Sequence, residues 1–287
     1  MSTTYELQQV SEIERWMDRT PDAISQFSDG ILSPFTKLVS WIIPEKAMMG
    51  ALDLGNSAGH VLSRVQTIKR FAGVKEYSDL FEKDLEFCDL LAQGEQNWAM
   101  ALAAVEGGAT GAWGLPGLAV DIPTIISLSM RAIHLMGLCY GFELKNQDDR
   151  DLAIGILSAS GANSMNEKVA ALLYLRTVQT ALAKNTFKQM AVKATESAFS
   201  QQAVILAAKA LAKQLGVNLT KRKMIQTIPF LGAGIGATIN AWYMHDVCWA
   251  ARRTFQERWL RMKGVITADI GHISNPSEHQ PSTVNQS

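Results

Sequence analysis

Two glycine-rich apolar segments constrain this chain more than any other feature. The first is WAMALAAVEGGATGAWGLPGLAVDIPTIISLSMRAIHLMGLCYGF, residues 98–142; the second covers 224–251. Only Glu106, Asp121 and Arg131 interrupt the first. Such stretches must be buried against each other, inside a core, or in a bilayer. Each has small residues at helical spacing: Gly107 and Gly111 in the first, Gly232, Gly234 and Gly236 in the second, with Gly114 and Gly117 marking the break between. Small residues four apart let two helix backbones approach closely, in a membrane or in a soluble core. Neither segment is the clean run of about 20 uncharged residues that a simple span requires. Asp121 sits inside the first, and Pro229 and Asn240 interrupt the second. The reading favours helical hairpins that pack together or dip into an interface.

Around these segments the periodicity is helical. Residues 5–20 form an amphipathic helix ending at the Thr20-Pro21 step, where the residue before proline disfavours helix. Residues 21–44 are broken by prolines and Gly30; residues 45–71 are helical and close on Gly73. Residues 75–97 alternate Tyr77, Leu80, Phe81, Leu85, Leu90 and Leu91 with seven acidic residues. This predicts one amphipathic helix with a solvated acidic face. The first apolar segment splits at GLPG, and its second helix is expected to start near Asp121 as N-cap, with Pro123 in the first turn. Residues 146–160 and 164–215 continue the helical pattern. Alternating β-branched runs are scarce. The expected fold is all-α, a single multi-helix domain over residues 1–265 with two Gly/Ala-rich apolar helical hairpins, followed by a disordered C-terminal tail over 266–287.

Composition narrows the function classes. Lys+Arg and Asp+Glu are 27 each, which argues against a nucleic-acid binder. Three scattered cysteines, Cys88, Cys139 and Cys248, support neither a disulfide framework nor a zinc site. No histidine lies three or four residues from His245, so no metal is expected. Gly55-Asn56-Ser57-Ala58-Gly59 matches the spacing of a hydrolase nucleophile elbow, but that device needs a strand before the serine. The preceding KAMMGALDL reads as helix, so the match is expected to be a small-residue packing contact. No cofactor is expected. The N-terminus, with early acidic residues and no apolar stretch, does not read as a signal peptide, and a cytoplasmic setting follows as an expectation.

The polar residues inside apolar helices form the candidate site: Glu106, Asp121, Arg131, Asn240, Asp246 and Arg253. Unpaired buried charges cost several kcal/mol, so Asp121 or Glu106 is expected to pair with Arg131 or Arg253. The second segment has basic flanks, Lys221, Arg222 and Lys223 before it, Arg252, Arg253 and Arg258 after it. Trp242, Trp249 and Trp259 lie within or just beyond it. That arrangement suits a hairpin entering and leaving an anionic leaflet, with tryptophans at headgroup depth. The expected partner is a membrane surface carrying anionic lipid, or a membrane protein, and a homo-oligomer is admitted.

Two motifs carry a family resemblance. Gly111-Ala-Trp-Gly-Leu-Pro-Gly117, Asp121-Ile-Pro123, Arg131 and Tyr140-Gly141 form one. Ile228-Pro229, Gly232, Gly236 and Asn240, leading to Arg252, Phe255 and Arg258-Trp259-Leu260, form the other. Together, over residues 10–265, they resemble the EcsC family of bacterial proteins. That family is named after a protein encoded beside a secretion-related ABC transporter and has no agreed biochemical activity. The resemblance therefore implies helices and a bacterial cytoplasmic setting, and carries over no catalytic residue. The expected function is a non-enzymatic protein, peripherally associated with the inner membrane, supporting transport, secretion or envelope processes by inserting an apolar hairpin. The alternatives are a hydrolase-type enzyme built around Asp121, Arg131, His245 and Asp246, or a membrane-perturbing effector.

Overall fold

The computed structural model describes residues 2–21, 61–144, 147–190, 232–267 and isolated helical positions between 207 and 218. The GxSxG stretch, Lys221–Lys223 and the tail beyond Thr267 lie outside them. Among the described residues there are seven α-helices, one short 3₁₀ turn and no strand. We number the helices α1 Thr4–Asp18, α2 Val61–Ala72, α3 Leu85–Gly111, α4 Gly114–Cys139, α5 Gln147–Ser160, α6 Met165–Met190 and α7 Gly232–Met262; the 3₁₀ turn is Tyr77–Glu82.

The helix α1 begins where local chemistry satisfies its free N–H groups. Thr3 Oγ1 accepts from Glu6 N at 3.1 Å, and Glu6 Oε2 accepts from Thr3 N at 2.7 Å. It stops before Thr20-Pro21, as expected, and buries Gln9, Ile13 and Met17 at four-residue spacing. The acidic stretch 75–97 differs from its expectation twice. It is not one helix, because Lys83 and Asp84 are extended and separate the 3₁₀ turn from α3. Its acidic face is not wholly solvated either, since Asp89 is 2% exposed and Glu95 6%. The helix α4 starts at Gly114 rather than Asp121. Pro123 therefore falls inside the helix, where it removes one N–H from the ladder. The helix runs through it, and Ile122, Ile125 and Ile126 beside it are fully buried.

The helix α7 is the centre of the molecule, packing on α3, α4, α5 and α1, while α3 packs on α4 and α5 on α6. Gly107 of α3 meets Gly236 of α7, and Asp89 of α3 meets Arg252 and Gln256 of α7. Numbers rise along one helix as they fall along the other, so the pair is antiparallel. Its two contact points are about 27 Å apart at 1.5 Å per residue. The apolar blocks thus pack against each other: the first forms the α3–α4 hairpin, and the described part of the second is a single long helix. Near the foot of α7, Tyr140, Phe142 and Phe255 stack with centroids 6.1–6.4 Å apart, and Phe81 tilts against Trp259 at 6.0 Å. Gly141 closes α4 at φ +83°, and a Cβ there would meet Phe81 N at 2.8 Å, so glycine is required twice over.

Candidate functional site

Three of the sequence-predicted residues come together at the α3–α4–α7 crossing. Asn240 Nδ2 donates to Glu106 Oε2 at 2.6 Å and to Asp121 Oδ1 at 3.1 Å, while Thr110 Oγ1 donates to Asp121 Oδ1 at 2.9 Å. Asn240 and Asp121 are fully enclosed. A Cβ on Gly107 would collide with the Asn240 amide and the Gly236 carbonyl; one on Gly236 would collide with the Gly107 carbonyl. The glycines thus admit the asparagine to both acids. Of the glycines flagged in the sequence, Gly107, Gly111 and Gly236 make this contact, whereas a Cβ on Gly234 would meet nothing within 4 Å. Gly114 opens α4, Gly117 lies in its first turn, and Gly232 opens α7.

The arginines expected to pair with these acids lie elsewhere. Arg131 follows Asp121 by ten residues on α4, about 15 Å along the axis. Its guanidinium stands 4.6 Å over the Trp98 ring, whose other cation is Arg64 at 4.9 Å. Arg64 forms a forked pair with Glu95 at 2.6 and 3.2 Å. Burial, then the neighbouring Arg64, lowers the Arg131 pKa. Arg253 joins a second polar cluster around Asp89, a residue the sequence reading did not single out. Asp89 accepts from Tyr5 Oη at 2.6 Å, Gln256 Nε2 at 2.7 Å, Arg252 Nε at 3.2 Å and from the Tyr140 hydroxyl. Arg253 donates to Gln9 Oε1 and Gln256 Oε1, both at 2.8 Å, and stands 3.7 Å from Glu12. Glu12, Asp89, Arg252 and Arg253 balance in formal charge, which lets the cluster lie largely inside. Burial is the largest influence on Arg252 and works against its charge, but Asp89, Tyr140 and Tyr5 together outweigh it and the pKa rises; burial and then Arg252 lower that of Arg253. Arg258 lies 4.4 Å over Phe142, and burial lowers its pKa. Of the expected membrane-flanking bases, then, Arg252 and Arg258 face the interior, as does Arg253.

Asp246 sits apart from both clusters. With His245, whose Nδ1 is 3.4 Å from Asp246 Oδ1, it lines a cleft of about 340 Å³ that includes neither Asp121 nor Arg131. The four residues of the hydrolase reading therefore do not converge. Trp242 and Trp249 also line this cleft, whereas Trp259 is a core residue, 3% exposed. Among the described residues, no group of three or more His, Cys, Asp and Glu is placed to hold a metal. One described stretch, Val120–Cys139, is long and apolar enough to cross a membrane, with a mean hydropathy of 1.4; 67% of its window is buried inside the protein.

The signal for Asp89 was present in its phase. It lies four residues after Leu85 and three before Ala92, on the buried stripe of α3. Its run of acidic neighbours disguised it.

The chain is similar to the uncharacterized protein YdbA of Bacillus subtilis (strain 168), 22% identical over 265 residues that cover 88% of this chain and 91% of that protein. No solved structure matches it. The family model described as the EcsC protein family matches residues 7–260, nearly the whole of the helical domain, and the chain belongs to that family.

Proposed function

We propose that this is a non-enzymatic, peripheral membrane protein of the cytoplasmic face of the inner membrane, supporting transport, secretion or envelope processes through an apolar hairpin tip. The observation that carries this reading is the tip of the α3–α4 hairpin. Val105, Trp113 and Val120 are 72, 76 and 62% exposed there. No charged residue occurs from 107 to 120, and the acids on either side, Glu106 and Asp121, turn inward to Asn240. An exposed indole among aliphatic side chains, free of charge, suits shallow insertion at headgroup depth. Because Arg252, Arg253 and Arg258 face inward, the first apolar block, rather than the second, is the inserting element.

At ~1.5–3 kcal/mol for each fully exposed side chain, and with these three 62–76% exposed, immersing them is worth roughly 3–6 kcal/mol. That corresponds to weak, reversible binding, strengthened where anionic lipid meets basic residues. Liposome flotation with neutral and with anionic vesicles tests it. The wild-type protein co-floats, Trp113→Leu retains most of the binding, and Trp113→Asp loses it with the helical circular dichroism unchanged. A protein that ignores both vesicle types, or a Trp113→Asp variant that floats like wild type, overturns the reading.

A further inference from the structure

The outer side of α3 is uncharged along almost its whole length. After Glu86, the exposed positions of the helix run Leu90, Gly94, Asn97, Ala101, Val105 and Ala109, with Gln93 beside them. Their spacing of three and four residues lays them along one line, about 28 Å from Leu90 to Ala109 at 1.5 Å per residue. The three acids in the same stretch all turn away from that line. Asp89 goes to Arg252 and Gln256, Glu95 to Arg64, and Glu106 to Asn240. Soluble surfaces carry about 25–35% charged residues, so roughly two of these seven positions would be charged on an ordinary wet face, and none is.

The line also leads to the hairpin tip. Val105, Ala109 and Trp113 follow at four-residue intervals, so the face runs on to the exposed indole without a break. Leu90, at the far end, is 62% exposed. Trp98 stands at the edge of the face, half-buried, with the Arg64 and Arg131 guanidiniums over its ring. An indole and positive charge thus border the face, while Gly94, Ala101 and Ala109 keep its middle neutral and thin. Small side chains let the helix axis come close to the acyl boundary, and bordering cations suit anionic headgroups.

We propose that α3 lies along the membrane surface, its outer face from Leu90 to Ala109 resting at headgroup depth with the hairpin tip as its leading end. The proposal rests on the membrane reading of the tip and adds an orientation to it. The axis of α3 runs parallel to the bilayer plane, α7 packs behind it on the side away from lipid, and an anionic bilayer is the partner of the whole face rather than of one indole.

The test places an environment-sensitive NBD label on single introduced cysteines in the full chain, where the native Cys88, Cys139 and Cys248 are buried. Gly94→Cys and Ala101→Cys report on the face, Ala112→Cys on the tip, and Thr177→Cys on the exposed side of α6 as control. The probe is a vesicle of phosphatidylcholine and phosphatidylglycerol, with and without a headgroup nitroxide lipid. Emission from positions 94, 101 and 112 is expected to shift to the blue and to be quenched by the nitroxide, while position 177 does not respond. A Cβ on Gly94 would meet nothing within 4 Å, and glutamate favours helix over glycine, so Gly94→Glu combined with Ala101→Glu keeps the fold. That variant should bind the vesicles at least about tenfold more weakly, with its helical circular dichroism unchanged. A label at 112 that enters the membrane while those at 94 and 101 stay in water overturns the proposal and leaves the tip reading standing. So does a double-glutamate variant that floats like wild type while Trp113→Asp does not. A blue shift at 94 and 101 that needs no vesicles and grows with protein concentration assigns the face to a second copy and overturns it too. No response from any label, with no flotation, overturns both readings.

Discussion

Gly236→Ala and Gly234→Ala make the same chemical change two residues apart on one helix, and the structure gives them opposite signs. Alanine is favoured over glycine in a helix interior by about 1 kcal/mol. At Gly234 a Cβ meets nothing within 4 Å, so that gain stands alone and the variant is more stable by roughly 0.5–1 kcal/mol. At Gly236 the methyl would collide with the Gly107 carbonyl and press on Gly107 C at 3.1 Å and Gly111 Cα at 3.3 Å. All three are backbone atoms that cannot rotate away, so α3 and α7 must separate. Overpacking of this kind costs about 1–3 kcal/mol, occasionally more. Separation also stretches the Asn240 bond to Glu106, and a hydrogen bond to a charged group is worth ~1.5–3 kcal/mol. After the propensity gain, the net loss at Gly236 is about 3 kcal/mol. Urea unfolding followed at 222 nm measures both, with the slope against denaturant unchanged if only stability has moved. Stabilities of the two variants within about 0.5 kcal/mol of each other would refute the close-crossing argument.

Asp89→Ala leaves Tyr5, Tyr140, Arg252 and Gln256 facing an empty acceptor site, and it should cost about 3–5 kcal/mol and lower Tm by roughly 10 °C in a thermal scan. Lys168→Met removes the donor from the Trp16 and Arg19 carbonyls; a loss of about 1–3 kcal/mol is expected, with faster amide exchange confined first to α1 in hydrogen-exchange mass spectrometry. Burial pushes the Cys88 and Cys248 thiols from 9.0 up to about 12, and burial followed by Asp89 raises Tyr5 and Tyr140 as well. These groups hold their protons more tightly folded than unfolded, so their stabilisation is complete below the ordinary thiol and tyrosine ranges. It is lost as pH rises from about 9 toward 12. Urea midpoints should fall between pH 8.5 and 10.5, and a flat profile there would contradict the burial of these side chains.

The helical class and the packing of the two apolar blocks were legible because period and small-residue spacing report directly on which faces are buried. Helix starts were less so. Pro123 resembles a first-turn proline, but the helix begins nine residues earlier, at Gly114, and the proline lies within it. The Glu106–Asp121–Asn240 set was found by asking which polar residues sit in apolar surroundings. Its pairing was not legible, because charge balance alone points to Arg131 or Arg253, whereas the Asn240 amide reaches both acids. The Asp89 cluster was missed because its members, Tyr5, Gln9, Asp89, Tyr140 and Gln256, are spread from one end of the domain to the other, and no local pattern joins them.

That spread has a consequence for how the chain is made. The helix on which α1, α3, α4 and α5 all pack is the last of the described helices to be synthesised. At 5–20 residues per second, roughly 10–35 s pass between the appearance of Leu85 and that of Met262. Throughout that interval Asp89 lacks Arg252 and Gln256, and the apolar face of α3 has no α7 to cover it. Until Met262 has emerged the α3–α4 and α5–α6 pairs can pack, but the contacts that join them through α7 cannot form, so closure of the domain core comes last.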